Sequence, residues 1–324
     1  MTLKLGVVMD PIEHINITKD SSFAMMLAAQ RRAWELHYMN PRQLYSADGS
    51  TRATTRILRV QDDRSNWFNI ISEQDIALSE LNAVLMRKDP PFDIEYITTT
   101  WLLDSIERHG TLVVNKPASL RDANEKLFIT CFPQCCVPML VSCEPARIRQ
   151  FVVQHRDVIL KPLDSMGGHS IFRVQPDNQN LSVILELMTK GGNKTIMAQR
   201  FIPEITAGDK RILLIDGEPV PYALARIPAA GETRGNLVAG ATGVGVALTE
   251  RDRWICTQVS PVLREMGILF AGLDVIGDYL TEINITSPTC IRELDQQYDL
   301  DIAGQLMECI ESHLTRMLDE GFGF

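Results

Sequence analysis

No apolar run of membrane-spanning length occurs in the 324 residues, and Met1-Thr2-Leu3-Lys4-Leu5 leads straight into an apolar strand instead of a cleavable leader. A cytoplasmic protein without a membrane partner is expected. Excess positive charge is also missing. Against 41 Asp and Glu stand 32 Lys and Arg, a formal net charge of −9, which argues against non-specific nucleic-acid binding. The seven Cys include a crowded set, Cys131, Cys135, Cys136 and Cys143, yet this set has neither the paired C-x-x-C knuckles nor the His partners that structural zinc requires. Free, buried or half-buried thiols in a reducing compartment are expected. No G-x-G-x-x-G follows the first strand, which removes the dinucleotide fingerprint. There is no internal repeat and no low-complexity tract.

What remains is an ordinary globular composition, long enough for two or three domains. The strand Lys4 to Met9, a helix from Phe23 to Arg32 capped by Ser21 or Ser22, and the strand Glu35 to Met39 make a βαβ opening. That opening predicts a parallel sheet with functional groups at the carboxyl ends of its strands. Residues 40–80 are polar, with an exposed strand at Thr54 to Val60. A buried strand, Leu81 to Met86, ends in Arg87-Lys88-Asp89-Pro90-Pro91, which reads either as an anion site or as a charged turn. A helix over Ile94 to Arg108 and a strand over Thr111 to Asn115 follow. The first domain ends within a helix expected over Ser119 to Thr130.

From Pro138 to Phe201 the pattern becomes a small, mostly antiparallel α+β unit. A hairpin over Asp216-Gly217 joins Lys210 to Ile215 with Pro219 to Ile227. The glycine-rich loop Pro228 to Ala247 reads as a lid. Helices are expected from Thr249 to Gly267 and from Asp301 to Leu318.

Chemistry-bearing residues concentrate in Leu273 to Ile285, two short strands joined at Gly277-Asp278. Glu282 and Asn284 sit two apart and so share a face, opposite Thr281, Ile283 and Ile285; alternation also puts Leu280 on the Glu282 face. Asp274 can join them across the hairpin. Three oxygen ligands without Cys or His suit Mg²⁺ or Mn²⁺. A regular two-residue turn, however, pairs Asp274 with Thr281 and puts it on the wrong face. An odd connection or a bulge near Gly277 is therefore expected. A solvated acidic hairpin is the alternative.

Gly167-Gly168 lets backbone N–H groups approach an anion, and Lys161 supplies a point charge from the preceding strand end. The Gly-Lys-Ser/Thr ending of a Walker loop is missing, and a strand follows where that loop would have a helix. Gln199, Arg200, Phe201 and Ile202 form a strand end able to offer backbone groups to an adenine edge, and Asp209 beyond it could accept from ribose hydroxyls. Arg211, Arg226 and Arg234 carry guanidinium forks suited to carboxylate or phosphate; singly, each reads equally as surface charge.

Taken in order, Gly6-Val7-Val8-Met9-Asp10-Pro11, Lys19 to Met25, Arg87 to Asp93, Ser119-Leu120-Arg121-Asp122, Asn124-Glu125-Lys126-Leu127, Lys161-Pro162-Leu163-Asp164, Gly231 to Leu237 and Thr281-Glu282-Ile283-Asn284 resemble the bacterial-type glutathione synthetases of the ATP-grasp superfamily. The resemblance covers nearly the whole chain. It implies an α/β, ATP-grasp fold in three parts: an N-terminal Rossmann-like parallel-sheet domain (1–122), a small antiparallel α+β lid domain (123–200) and a C-terminal α+β domain with the metal site (201–324). The ATP-grasp module spans about 126–311. The implied activity is ATP-dependent ligation of γ-glutamylcysteine and glycine through an acyl phosphate, in a homotetramer. Another ATP-grasp carboxylate-amine ligase, or a non-catalytic ATP-binding protein, is the competing reading.

By position, the resemblance implies that Lys126 and Lys161 contact ATP phosphates under a hairpin from Asp164 through Gly167 and Gly168. Gln199, Arg200, Phe201, Ile202 and Asp209 hold adenine and ribose. Asp274, Glu282 and Asn284 hold Mg²⁺ or Mn²⁺. Arg211, Arg226, Arg234 and Asn236 serve the acyl and phosphoryl groups, and Arg87, Arg234 and Ser287 the peptide substrate. Two departures stand out. Ser165 replaces the first Gly of the usual hairpin, where a Cβ at positive φ would carry a penalty. Gly240-Ala241-Thr242-Gly243 replaces a lid stretch usually richer in glycine and basic residues.

Overall fold

The computed structural model describes residues 2–165, 168–229 and 241–320. The opening unit builds one seven-stranded sheet. Its centre is parallel: β1 (Lys4–Val8), β2 (Glu35–Met39), β6 (Ala83–Met86) and β7 (Leu112–Val114), in the order β2-β1-β6-β7. Helices α1 (Ser21–Arg31) and α2 (Ile94–Glu107) are the crossovers that parallel strands require. Asp20 caps α1, its carboxylate accepting from the Phe23 N–H at 2.6 Å, one residue before the serines expected to do so.

The polar stretch 40–80 holds β3 (Leu44–Ala47), β4 (Ser50–Val60) and β5 (Phe68–Ala77), all antiparallel, added along the edge beyond β2. β4 is longer than the expected Thr54–Val60 and alternately buried. Ala53, Thr55, Leu58 and Val60 face inward, so the strand is half-covered and not exposed.

The helix expected over Ser119–Thr130 is broken. α3 (Pro117–Asp122) stops, and a short 3₁₀ turn resumes at Phe128–Cys131. Asn124 causes the break. Its Oδ1 accepts from the Lys126 and Leu127 N–H groups at 3.1 and 3.0 Å, an Asx turn that competes with helix.

The middle unit is a four-stranded sheet in the order β10-β9-β11-β8: β8 (Met139–Ser142), β9 (Val158–Pro162), β10 (Phe172–Val174) and β11 (Ile196–Arg200). α4 (Pro145–His155) and α5 (Leu181–Thr189) cover it, and it keeps a separate core of Ile148, Val152, Leu160, Leu185 and Ile196.

A five-stranded antiparallel sheet follows: β12 (Asp209–Ile215), β13 (Glu218–Ile227), β14 (Thr242–Ala247), β15 (Phe270–Ile276) and β16 (Tyr279–Asn284), in the order β14-β13-β12-β15-β16. The loop expected through Ala247 thus ends early, because residues 242–247 pair with β13 as a strand. Gly231 to Gly240, with Arg234 and Asn236, lie outside the described residues, as does Gly167. α6 (Glu250–Glu265) begins at a capping box in which Thr249 and Asp252 serve each other's backbone N–H. α7 (Ile291–Tyr298) and α8 (Ile302–Asp319) close the chain.

The first and last units share two cores that mix residues of both. Asn115 clasps them: its amide donates to the Phe270 and Ile285 carbonyls at 2.7 Å each, and its Oδ1 accepts from the Phe270 N–H at 2.9 Å. A fully satisfied buried amide of this kind fixes register between the parts it joins. All seven Cys are free; Cys131 is exposed and the others are buried or half-buried. No helix among the described residues is long and apolar enough to cross a membrane.

Candidate active site

A cleft of about 370 Å³ opens between the middle unit and the last sheet. Its floor is set by the β15–β16 hairpin. The turn keeps two residues, with Ile276 opposite Tyr279 and Val275 opposite Leu280, and then the register shifts so that Asp274 faces Glu282. Thr281 is the extra residue. The expected bulge is therefore present, and it brings Asp274 onto the face of Glu282 and Asn284. It also corrects the expected alternation. Leu280 leaves the Glu282 face and packs in the core with Ile283 and Ile285. Freed from regular pairing, Thr281 turns both polar groups to use: its hydroxyl donates to the Asp274 carbonyl at 3.0 Å, and its carbonyl accepts from Lys161 Nζ at 3.1 Å.

The bulge sits beside a dense charge cluster. Arg211 and Asp274 are direct partners across β12 and β15, and their side chains meet as a fork, Nε to Oδ1 at 2.8 Å and Nη2 to Oδ2 at 2.7 Å. Arg226 Nη2 approaches Asp274 Oδ2 at 2.9 Å and Asp209 Oδ2 at 2.5 Å. One arginine thus serves two carboxylates. Burial works to raise the Asp274 carboxyl, but Arg211 and Arg226 outweigh it and hold it well below the ordinary range. Asp209 has only the shared arginine, and burial with Asp274 nearby pushes it up to about 7.

Two lysines lean over the same hairpin. Lys161, from the end of β9, and Lys126, from the Asx turn, lie 3.6 and 3.9 Å from Glu282 Oε1. Burial lowers Lys161. Burial also opposes charge on Lys126, but Glu282 and Glu125 outweigh it and raise that lysine. Lys126 further donates to Glu125 and, at 2.6 Å, to the Ser165 carbonyl in the overhanging hairpin.

Of the residues expected here, Lys126, Lys161, Gly168, Gln199, Arg200, Phe201, Ile202, Asp209, Arg211, Arg226, Asp274, Glu282, Asn284 and Ser287 all line the cleft. Gln199 Nε2 and Asp209 Oδ1 are buried there without a protein partner, which an arriving ligand would supply. Arg173 stacks on the outer face of Phe201, 3.7 Å from the ring centroid.

Two residues lie off the wall. Asp164 turns outward to Lys194 at 2.8 Å. Arg87 is buried one layer back, donating to Ser22 Oγ at 3.0 Å and to the Pro288 carbonyl at 2.9 Å, so it braces the loop that bears Ser287. Ser165 does not take positive φ. Among the described hairpin residues, Gly168 (φ +75°) and Ser170 (φ +57°) do, so the Ser165 replacement carries no such strain. Glu125 and Thr281 line the cleft without having been singled out. Both lay inside motifs already noted, but alternation put Thr281 on the face away from Glu282, and only the bulge turns its carbonyl to Lys161.

The charges lining the cleft balance. Lys126, Lys161, Arg200, Arg211 and Arg226 face Asp89, Glu125, Asp209, Asp274 and Glu282 among the described residues. A polyphosphate entering this wall meets no surplus of positive charge. Divalent cations at the oxygen donors would restore the balance, and Asp274, Glu282 and Asn284 fit that role by donor type and by shared face.

A family model for the prokaryotic glutathione synthetase N-terminal domain matches residues 3–121, and one for the prokaryotic glutathione synthetase ATP-grasp domain matches residues 125–299. The chain belongs to the prokaryotic glutathione synthetase family. Similar members include glutathione synthetases of Pseudomonas putida, 60% identical over 97% of this chain and 99% of that one, and of Vibrio cholerae, 58% identical over 96% and 98%. Among solved structures, the ATP-grasp ligase PsnB, complexed with minimal precursor, Mg and ADP, superposes with a TM-score of 0.62 at 14% identity, covering 96% of this chain and 98% of that one. The D-cycloserine synthetase DcsG gives 0.66 at 13%, covering 96% and 99%. At such identities the likeness establishes the ATP-grasp fold alone. With this family membership, the chain is an ATP-dependent carboxylate-amine ligase.

Proposed function

We propose that the protein makes glutathione from γ-glutamylcysteine and glycine at the expense of ATP. The observation that carries this reading is the bulge at Thr281, which puts Asp274 opposite Glu282 beneath Lys161 and Lys126. In the first step the cysteinyl carboxylate takes the γ-phosphoryl group, giving an acyl phosphate and ADP. In the second the glycine amine attacks the acyl carbon, the C–N bond forms, phosphate leaves with the C–O electron pair, and the amine gives up a proton.

The protein's own work is alignment and neutralisation. Lys126 and Lys161 meet the phosphates. Gln199 to Ile202 and Asp209 hold adenine and ribose, using the unpartnered Gln199 Nε2 and Asp209 Oδ1. Arg226, with Arg211 behind it, faces the reacting carboxylate, and Ser287 the peptide. Arg234 and Asn236 keep their roles toward the acyl group by family resemblance. Asp274, Glu282 and Asn284 would hold Mg²⁺ or Mn²⁺, which when bound offsets charge on the transferring phosphoryl group. The loop after β13 would shield the acyl phosphate from water.

Domain boundaries at 122 and 200 suit the three sheets. A cytoplasmic homotetramer completes the reading; Ile70 and Ile71, 48% and 60% exposed on β5, supply apolar surface for assembly.

The test is phosphate release from ATP and Mg²⁺ with γ-glutamylcysteine, with and without glycine. Release that needs both, with glutathione formed in equal amount, supports the ligase. ATP binding without release under any amine would sink it.

A further inference from the structure

Away from the cleft, three side chains of different chemistry converge where the β12–β13 hairpin turns. Asp216 is the first turn residue, at φ +48°. Cys309 and His313 lie four apart on α8, hence on one face. One ligand atom from each, a carboxylate oxygen, the Cys309 sulfur and a His313 ring nitrogen, fall within 4.8 Å of one another. His313 Nε2 is buried without a hydrogen-bond partner, and Asp216 Oδ2 lies 3.5 Å from it, too far for a good hydrogen bond. A donor set of sulfur, nitrogen and oxygen is that of a borderline divalent cation.

We propose that Asp216, Cys309 and His313 bind a Zn²⁺-class cation, with the fourth position left to water. The ligands are held before any ion arrives. The Asp216 N–H donates to the Leu269 carbonyl at 2.8 Å, and the Asp216 carbonyl accepts from Arg264 Nε at 2.7 Å. The other two ligands ride on an 18-residue helix. Side chains of His313 and Asp216 are 25% and 34% exposed, which leaves a way in.

The ion would tie α8 to the far end of β12, about 20 Å along that strand from Asp209 at the cleft. α8 also packs against α1 and pairs through Asp301 with Arg31 and through Glu311 with Arg32. Cation binding there fastens the last sheet to the first domain.

The experiment uses the full chain, stripped by chelator and titrated with Co²⁺ under absorption and with Zn²⁺ under calorimetry. On Co²⁺ addition without ATP, wild type should show a thiolate-to-cobalt charge-transfer band in the near ultraviolet, and Zn²⁺ should raise its melting temperature. Cys309→Ser should lose the band. His313→Gln should weaken Zn²⁺ binding by more than about tenfold. Both should keep ATP-dependent turnover, which shows that they fold. A wild type without the band, a band that survives in Cys309→Ser, or equal Zn²⁺ affinity in His313→Gln would overturn the proposal and leave a plain His–Asp contact.

Discussion

The floor of the cleft and the hairpin over it are built in opposite ways. On the floor, Arg211, Arg226 and Asp274 are at most 8% exposed, and their charges are spent on one another. Over the cleft, the β9–β10 hairpin and its flanks end their ion pairs in solvent. Asp164 reaches Lys194, Arg173 reaches Asp157, and Phe172 is 40% exposed. The buried Arg211–Arg226–Asp274 cluster cannot be altered without disturbing the fold, whereas the roof can change its grip on a ligand at little structural cost.

Asp274→Ala is the hardest blow to that contrast. It leaves the buried Arg211 without its carboxylate and Arg226 with Asp209 alone, so turnover should vanish and stability should fall by about 3–5 kcal/mol. Denaturant unfolding that matches wild type would break the comparison. Glu282→Ala sharpens it from the other side. Glu282 touches its lysines only at 3.6 Å or more. Phosphate release should drop by at least about a hundredfold while unfolding free energy moves by under about 1 kcal/mol. Normal ligation by a well-folded variant would remove Glu282 from the cation site.

The two floor carboxylates should answer pH with opposite signs. Asp274 is held low, so its contribution is complete above the unfolded value near ~3.9 and fades only in stronger acid. Asp209 is pushed up to about 7, so the native state binds the extra proton between the two values. Its contribution is present at low pH and lost as pH rises through 7. The melting temperature of wild type minus that of Asp209→Asn should therefore fall from about pH 5 to about pH 8. A difference that grows would reverse the assignment.

The smallest effect belongs to the roof. Gly168→Ala puts a Cβ at φ +75° and should cost about 1 kcal/mol. KM for ATP should rise while kcat holds. A collapse of kcat would mean that the roof takes part in the chemistry.

The floor was the more legible of the two in the sequence. Glu282, Asn284 and Asp274 could be assigned one face only if the hairpin carried an extra residue, and the structure puts that residue at Thr281. The Asp216-Gly217 turn and the helix start at Thr249 were equally plain, because each position favours a particular type of side chain. What stayed hidden depends on contacts between distant segments. Strand β5 was not picked out of the polar stretch 40–80 because most of its residues are exposed, and only pairing with β4 makes it a strand. The break at Asn124 was masked by apolar residues at helical spacing on either side. Arg87 read either as an anion site or as part of a charged turn, yet Ser22 and Pro288 draw it inward.

The Asn115 clasp has a consequence for how the molecule opens. Its three hydrogen bonds and the two shared cores make the first and last sheets a single cooperative block. The middle unit keeps its own core, and its strands add only Met197 to the shared one as a fully buried residue, so it is the part expected to open on its own. In amide exchange the Phe270 N–H should follow the strands of the first domain, and β9 to β11 should exchange as a faster group. The cleft is then a jaw with one hinged side, and Asp274, Glu282 and Asn284 belong to the side that stays still.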